Sequence, residues 1–281
     1  MRIALIGNSH AAMLIAAHRQ DPRGETLTVF AKPSLQPEDY VLDGSVLRAT
    51  SDDLRARLAD LGTPQALDLA QCDAVVIAGL VPSAFAAVRL AQGHVISHWP
   101  SAHPVMARIL RAKPQPKDRP LMSKATYRAA LMALTDTSPA ATLARGIQAA
   151  TGQRVLILPQ PLPSEALLEI EGKYPIFRRL LRDGDGAAMA RDLDQTHLTA
   201  LDALPGLRCL VQPDDTRRNG CLTAVDLMRG GPRLSAGTRQ AGDDVLHGNA
   251  TLGAVMLSLL RAVLAPADCA PVNCAQSSSN P

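Results

Sequence analysis

Aromatic side chains are nearly missing from this chain. Among 281 residues there are three Tyr, three Phe and one Trp, Trp99. A core must be built from Ala, Leu, Val and Ile, and a stacking platform for single-stranded nucleic acid is argued against. A dominant sign of charge is missing too: 29 Lys+Arg stand against 26 Asp+Glu, a formal net charge of +3. The densest basic runs, 108–119 and 178–182, are short and read as solvated faces or a patch for an anionic ligand. Nucleic acid is therefore not an expected partner. Cysteines are few. Cys72, Cys209, Cys221, Cys269 and Cys274 form no Cys-x-x-Cys pair, and an odd count at wide spacing does not describe a disulfide framework. Reduced thiols in a cytoplasmic protein are the simplest reading, with a late Cys269–Cys274 bridge left open. No apolar run reaches the length of a membrane span, so direct membrane insertion is not expected. The run from Ile3 to Ala17 is broken by Gly7-Asn8-Ser9-His10 and lacks the basic lead and cleavage site of a signal peptide.

What is present suits a globular domain. Hydrophobic residues make up 47% and charged residues 20% of the chain, close to ordinary averages. A chain this long buries roughly 75% of the surface its unfolded form exposes, so it needs no metal or disulfide staple. Neither an internal repeat nor a strong linker divides it. Residues 1–265 read as a single α/β domain, and 266–281, rich in Ser, Pro and Ala, as a disordered tail.

Strand signals alternate with helix signals. Short apolar runs at 3–6, 25–31, 73–78, 154–158 and 208–211 read as strands, several of them covered on both faces. Helical patterns lie between them: 11–18, a helix capped by Ser51, another with Pro82 in its first turn, 122–135, 139–151 closed by Gly152, 185–204 and 249–264. The segment 216–243 reads mostly as loop. Strand–helix alternation along the whole length predicts a parallel sheet wrapped on both faces, with ligands beyond the carboxyl ends of the strands.

The residues just past the first strand are Gly7-Asn8-Ser9-His10. A serine where a strand turns into a helix lies in the field of unpaired N–H groups, and can act as a nucleophile whose own N–H holds a developing oxyanion. Such a serine can equally be a helix cap. Near the other end, Asp244-Val245-Leu246-His247 precedes the final helix. A carboxylate at this spacing can hold one imidazole nitrogen and aim the other at a serine. The bland alternative makes Asn249 the cap of the helix and Asp244 a turn residue.

Gly7-Asn8-Ser9-His10-Ala11 resembles the Gly-Asp-Ser block of the SGNH (GDSL-like) hydrolases, in the form found in SGNH domains tied to polysaccharide O-acylation. Asp244-x-x-His247 is similar to that superfamily's C-terminal block. The resemblance implies a three-layer, flavodoxin-like doubly wound α/β sheet. It also implies Ser9 as nucleophile, His247 as general base, Asp244 as its orienter, a small-molecule or carbohydrate acyl ester as substrate, and no cofactor. Two departures stand out. Asn8 occupies a position usually held by Asp. The Gly-x-Asn-Asp block falls at Gly79-Leu80-Val81-Pro82, so Val81 stands in for the oxyanion asparagine. Gly44, in Leu42-Asp43-Gly44-Ser45, is a loose match to the block glycine whose backbone N–H would join that of Ser9. Asn8, His10, Gly44, Gly79 and Asn249 complete the expected oxyanion and substrate-binding set.

Other features have weaker claims. His94, His98 and His103 lack regular spacing and sit between prolines, so no metal site is expected; their segment reads as a loop near the pocket. Trp99 suits either a substrate wall there or the core. Gly7-x-Ser9-x-x-Ala12 resembles a degraded dinucleotide turn, but Ser9 would obstruct the pyrophosphate and no acid closes the second strand. Three functions therefore stand in order: a serine esterase or O-acyltransferase, a non-catalytic binding protein of polysaccharide biosynthesis on the same fold, and a nucleotide-binding protein. The oligomeric state is not legible.

Overall fold

The computed structural model describes residues 1–111, 119–234 and 238–265. In chain order its elements are β1 (Arg2–Gly7), α1 (Ala11–Gln20), β2 (Thr26–Ala31), β3 (Tyr40–Asp43), β4 (Val46–Ala49), α2 (Asp52–Leu61), β5 (Ala66–Asp68), β6 (Ala74–Ala78) and α3 (Ala84–Ala91). There follow β7 (Val95–Ile96), α4 (Ala102–Leu110), β8 (Leu121–Met122), α5 (Lys124–Asp136), α6 (Pro139–Thr151), β9 (Val155–Leu158), α7 (Pro175–Arg182), α8 (Gly186–Leu201), β10 (Leu207–Cys209) and α9 (Ala250–Leu264).

Five strands form the central sheet in the order β10-β9-β6-β1-β2, all parallel. Ranked along the chain, this is the flavodoxin-like 2-1-3-4-5 order. The expected doubly wound sheet is therefore present. Alternation along β1 sorts its side chains between two layers. Ala4 and Ile6 pack with Leu54 and Leu58 of α2 and with Ala144 and Ile147 of α6. Ile3 and Leu5 face Leu14 of α1 and Met256 and Leu257 of α9 on the other side. A further cluster ties α3, α5, α7 and α8 around Trp99, Tyr127 and Phe177.

Local chemistry fixes the element ends. Ser51 Oγ accepts the Leu54 N–H at 3.2 Å and starts α2. Gly152 closes α6 at φ +65°, a left-handed position that a Cβ disfavours. The contact between α1 and α9 positions the site. A Cβ on Gly253 would lie 2.1 Å from the Met13 carbonyl oxygen, so the last helix runs backbone-close along the first.

Several boundaries differ from the sequence pattern. The second strand starts at Thr26, and the Glu25 side chain ahead of it accepts from Arg261 Nε at 2.9 Å. The fifth central strand spans Leu207–Cys209, and α8 stops at Leu201. Helix α5 starts after a Ser123 cap, leaving Met122 in β8. An antiparallel sheet β3-β4-β5 and helices α4 and α7 were not expected. Among the described residues no helix is long and apolar enough to cross a membrane. The expected disordered tail, Cys269 and Cys274 lie outside the described residues, as does part of the 108–119 basic run.

Candidate active site

Ser9 follows the carboxyl end of β1, just before α1. His247 lies in the loop that leads into α9. Though 238 residues apart, they meet: Ser9 Oγ lies 2.9 Å from His247 Nε2. His247 Nδ1 lies 3.0 Å from each oxygen of Asp244. An ionised carboxylate only accepts, so Nδ1 carries the proton and Nε2 is left to accept from the Ser9 hydroxyl. The Asp244 carboxylate also accepts backbone N–H groups of His247 at 3.1 Å and Leu246 at 3.4 Å. Burial alone would raise the Asp244 pKa, but its hydrogen bonds to His247 and its attraction to that ring once protonated outweigh it and hold the carboxyl below its ordinary value.

His10 stacks on the His247 ring. The two imidazoles lie 4.9 Å apart between centroids, inclined by 23°. His10 is 7% exposed, and its Nδ1 is buried without a hydrogen-bond partner. Burial, reinforced by the nearby His247, pushes its pKa down to about 3. His10 therefore stays neutral beside the His247 ring. Gln160, just past β9, lies beside the His10 ring and acts against this lowering. No sequence motif marks Gln160. Its signal was position alone, since it follows the carboxyl end of a central strand as Asn8 and Leu80 do.

Asn8 lies at the same end. Its Oδ1 accepts the His10 N–H at 3.1 Å, while its amide lies flat over Gly79. A Cβ at Gly79 would sit 2.5 Å from Asn8 Oδ1, and Gly79 has φ +73°, so glycine is required there twice over. The Ser9 N–H forms no hydrogen bond among the described residues. Val81, at the place of the expected asparagine, is buried in the apolar cluster around Ile6 and Phe30.

Two expected residues are elsewhere. Gly44 sits in the two-residue turn between β3 and β4, with φ +56°. The carbonyl of its neighbour Ser45 accepts the Leu69 N–H at 2.9 Å, in the segment leading to the amino end of β6. That is the opposite end of the sheet from Ser9, so its N–H is no partner to that of Ser9. Asn249 caps α9: its Oδ1 accepts from the N–H groups of Thr251 at 2.9 Å and Leu252 at 3.3 Å. Its Nδ2 donates to the carbonyls of Asp226 and Arg229 at 2.7 and 3.1 Å. Its amide is thus engaged in holding the loop to the helix.

The histidine-rich segment is also away from Ser9. His98 and Trp99 Nε1 both meet Asp192 of α8, at 2.7 and 2.9 Å, and Arg128 completes that cluster. Trp99, 2% exposed, is a core residue rather than a substrate wall. Among the described residues no group of His, Cys, Asp and Glu is arranged to hold a metal.

No family model matches this chain, and no curated protein matches it. Among solved structures, the chain is similar to the lipase Lip_vut3 from a goat rumen metagenome: TM-score 0.36, 12% identity, covering 93% of this chain and 96% of that one. It is also similar to a lipopolysaccharide acetyltransferase periplasmic domain from Salmonella ser. Paratyphi A: TM-score 0.42, 10% identity, covering 94% and 84%. Both are distant likenesses, and the chemistry below rests on this chain's own side chains.

Proposed function

We propose that this protein is a serine ester hydrolase or O-acyltransferase of the SGNH type. One observation carries the reading: an unbroken hydrogen-bonded series from Ser9 Oγ through His247 to Asp244, assembled from the first and last segments of the fold. Ser9 Oγ attacks the ester carbonyl carbon as its proton passes to His247 Nε2. Asp244 holds the ring and stabilises the imidazolium that forms. The tetrahedral oxyanion meets the free Ser9 N–H; Gly44, at the far end of the sheet, supplies no second donor. The C–O bond to the alcohol then breaks, and the imidazolium returns its proton to the leaving alkoxide. An acyl-Ser9 remains. Water or a second hydroxyl, deprotonated by His247, attacks it and regenerates the serine. The resemblance of the Ser9 and His247 blocks favours a carbohydrate acyl ester.

The test is direct. Wild-type protein and Ser9→Ala are treated with a fluorophosphonate probe and with p-nitrophenyl acetate. The wild type should be labelled at Ser9, and Ser9→Ala should lose labelling and about 10⁴-fold or more in turnover. Equal labelling of both proteins overturns the serine mechanism. An unlabelled, inactive wild type leaves a binding protein on the same fold.

A further inference from the structure

Resting on that reading, we infer that the cavity over the β1–β6 switch point receives the acyl chain of the ester, and that the protein selects acyl groups longer than acetyl. In a doubly wound sheet the crevice lies where neighbouring strands send the chain to opposite sides. Here β1 leads to β2 on one side, and β6 pairs on the other. A cavity of about 530 Å³ opens at this point, lined by Asn8, Leu35, Leu80, Val81, Leu134 and Gln160 among others. Its size lies within the roughly 300–1,000 Å³ of small-molecule sites.

The lining is polarised. Asn8 adjoins Ser9 in the chain and accepts the His10 N–H at 3.1 Å, and Gln160 lies beside His10, so these two amides mark the end of the cavity next to Ser9. Away from it Leu35, Leu80, Val81, Ala86 and Leu134 supply aliphatic wall; Ser34, Gln36, Thr137 and Ser138 also line the cavity, the last two with hydroxyls already donating to the carbonyls of Ala133 and Thr135 at 2.8 and 2.6 Å. Val81 supplies apolar surface where the Gly-x-Asn-Asp pattern would supply an amide. Leu134 on α5 leaves 41% of its surface exposed, an unfilled apolar contact facing a cavity that already has an apolar floor. The backbone adds a second, independent observation. Four non-glycine residues among those described have positive φ, and two of them, Ser34 at +53° and Leu80 at +64°, line this cavity. A left-handed leucine is costly, and the Ala140 N–H holds it by bonding the Leu80 carbonyl at 3.2 Å. Such strain gathers at ligand clamps. Methylenes suit the aliphatic part of this wall, where an unpaired hydroxyl would be costly.

The experiment is a chain-length series of p-nitrophenyl acetate, butyrate and hexanoate, read as kcat/KM on the full chain. Burial of each methylene should raise kcat/KM about fourfold, hence about 15-fold from acetate to butyrate. Ala86→Trp, which fills the cavity, and Leu134→Asp, which makes its mouth polar, should each lower the hexanoate-to-acetate ratio at least about fivefold. Leu134 is exposed, so its variant tests the idea even where Ala86→Trp folds poorly, and a melting curve accompanies each. A flat or acetate-preferring wild type that still labels at Ser9 overturns the acyl cavity and leaves the serine mechanism standing. An unchanged ratio in both folded variants overturns it too. A wild type that neither labels nor turns over any ester removes the serine mechanism, and this inference with it.

Discussion

Gly253→Ala should damage the proposed activity far more than the fold. The added Cβ would lie 2.1 Å from the Met13 carbonyl oxygen, 2.6 Å from its carbon and 3.2 Å from Ala17 Cβ. Ordinary contact begins near 3.4 Å, so α9 must withdraw from α1 by about 1.3 Å. The obstacle is backbone, and trimming the Met13 side chain will not relieve it. Overpacking of this kind costs about 1–3 kcal/mol, while alanine returns about 1 kcal/mol of helix propensity. The net loss is about 0–2 kcal/mol. A domain of even 5 kcal/mol would then remain roughly 99% folded. His247 lies just ahead of α9 and moves with it, opening a 2.9 Å hydrogen bond to Ser9. A displacement of about 1 Å at a reacting pair costs about 100-fold. Measured kcat/KM for p-nitrophenyl acetate should therefore fall about 100-fold, with a denaturation midpoint close to wild type. Gly146→Ala, another helical glycine, meets only the movable end of Leu42 at 3.1 Å and should leave activity intact. Wild-type kcat/KM in Gly253→Ala, or a loss that merely follows unfolding, would show that the α1–α9 spacing does not set the site.

Three further outcomes follow from the same contacts. Asp244→Asn keeps the shape of the loop but removes the acceptor that fixes the His247 tautomer; kcat should fall about 10⁴-fold, as steady-state assays at neutral pH would show. Asp192, 1% exposed, accepts from His98, Trp99 and Arg128. Asp192→Ala should cost about 3 kcal/mol in urea denaturation, the low end for a broken buried pair because Arg128 can rehydrate. His197 is 1% exposed, and burial pushes its pKa down from 6.5 to about 4. Between these values the unfolded chain takes up a proton that the folded one refuses, so stability falls as pH drops below 6.5. This single group should cost about 2 kcal/mol at pH 5, and His197→Leu should lose less stability than wild type between pH 7 and pH 5 in parallel melts.

The legible parts of this molecule are the ones written locally. Ile3 to Ile6 ending at Gly7 announces a buried strand, and Ser9 and the Asp244–His247 spacing each sit at a strand or helix end that composition marks. Their meeting is not written locally. It depends on Gly253 lying against the Met13 backbone, a contact between residues that look like ordinary helix formers. The Gly44 reading failed for the converse reason. Asp43-Gly44-Ser45 is a tight-turn signature between two strands of four residues each, too short to stand out, and that hairpin carries the glycine to the wrong end of the sheet. Trp99 and His98 find their partner in Asp192, about 90 residues on, and no spacing reveals such a pair. Gln160, hidden between prolines, was marked only by following a strand.

The distance along the chain between Ser9 and His247 has a consequence for the protein's birth. During synthesis, at about 5–20 residues per second, the alcohol emerges first and waits roughly 12–48 seconds for its imidazole. A chain stalled or cleaved between Cys209, the end of the fifth central strand, and Asp244 would hold every central strand yet carry an unactivated serine. On the proposed chemistry, such copies are harmless to esters around the ribosome, and arrival of the 244–247 loop is itself the activating event.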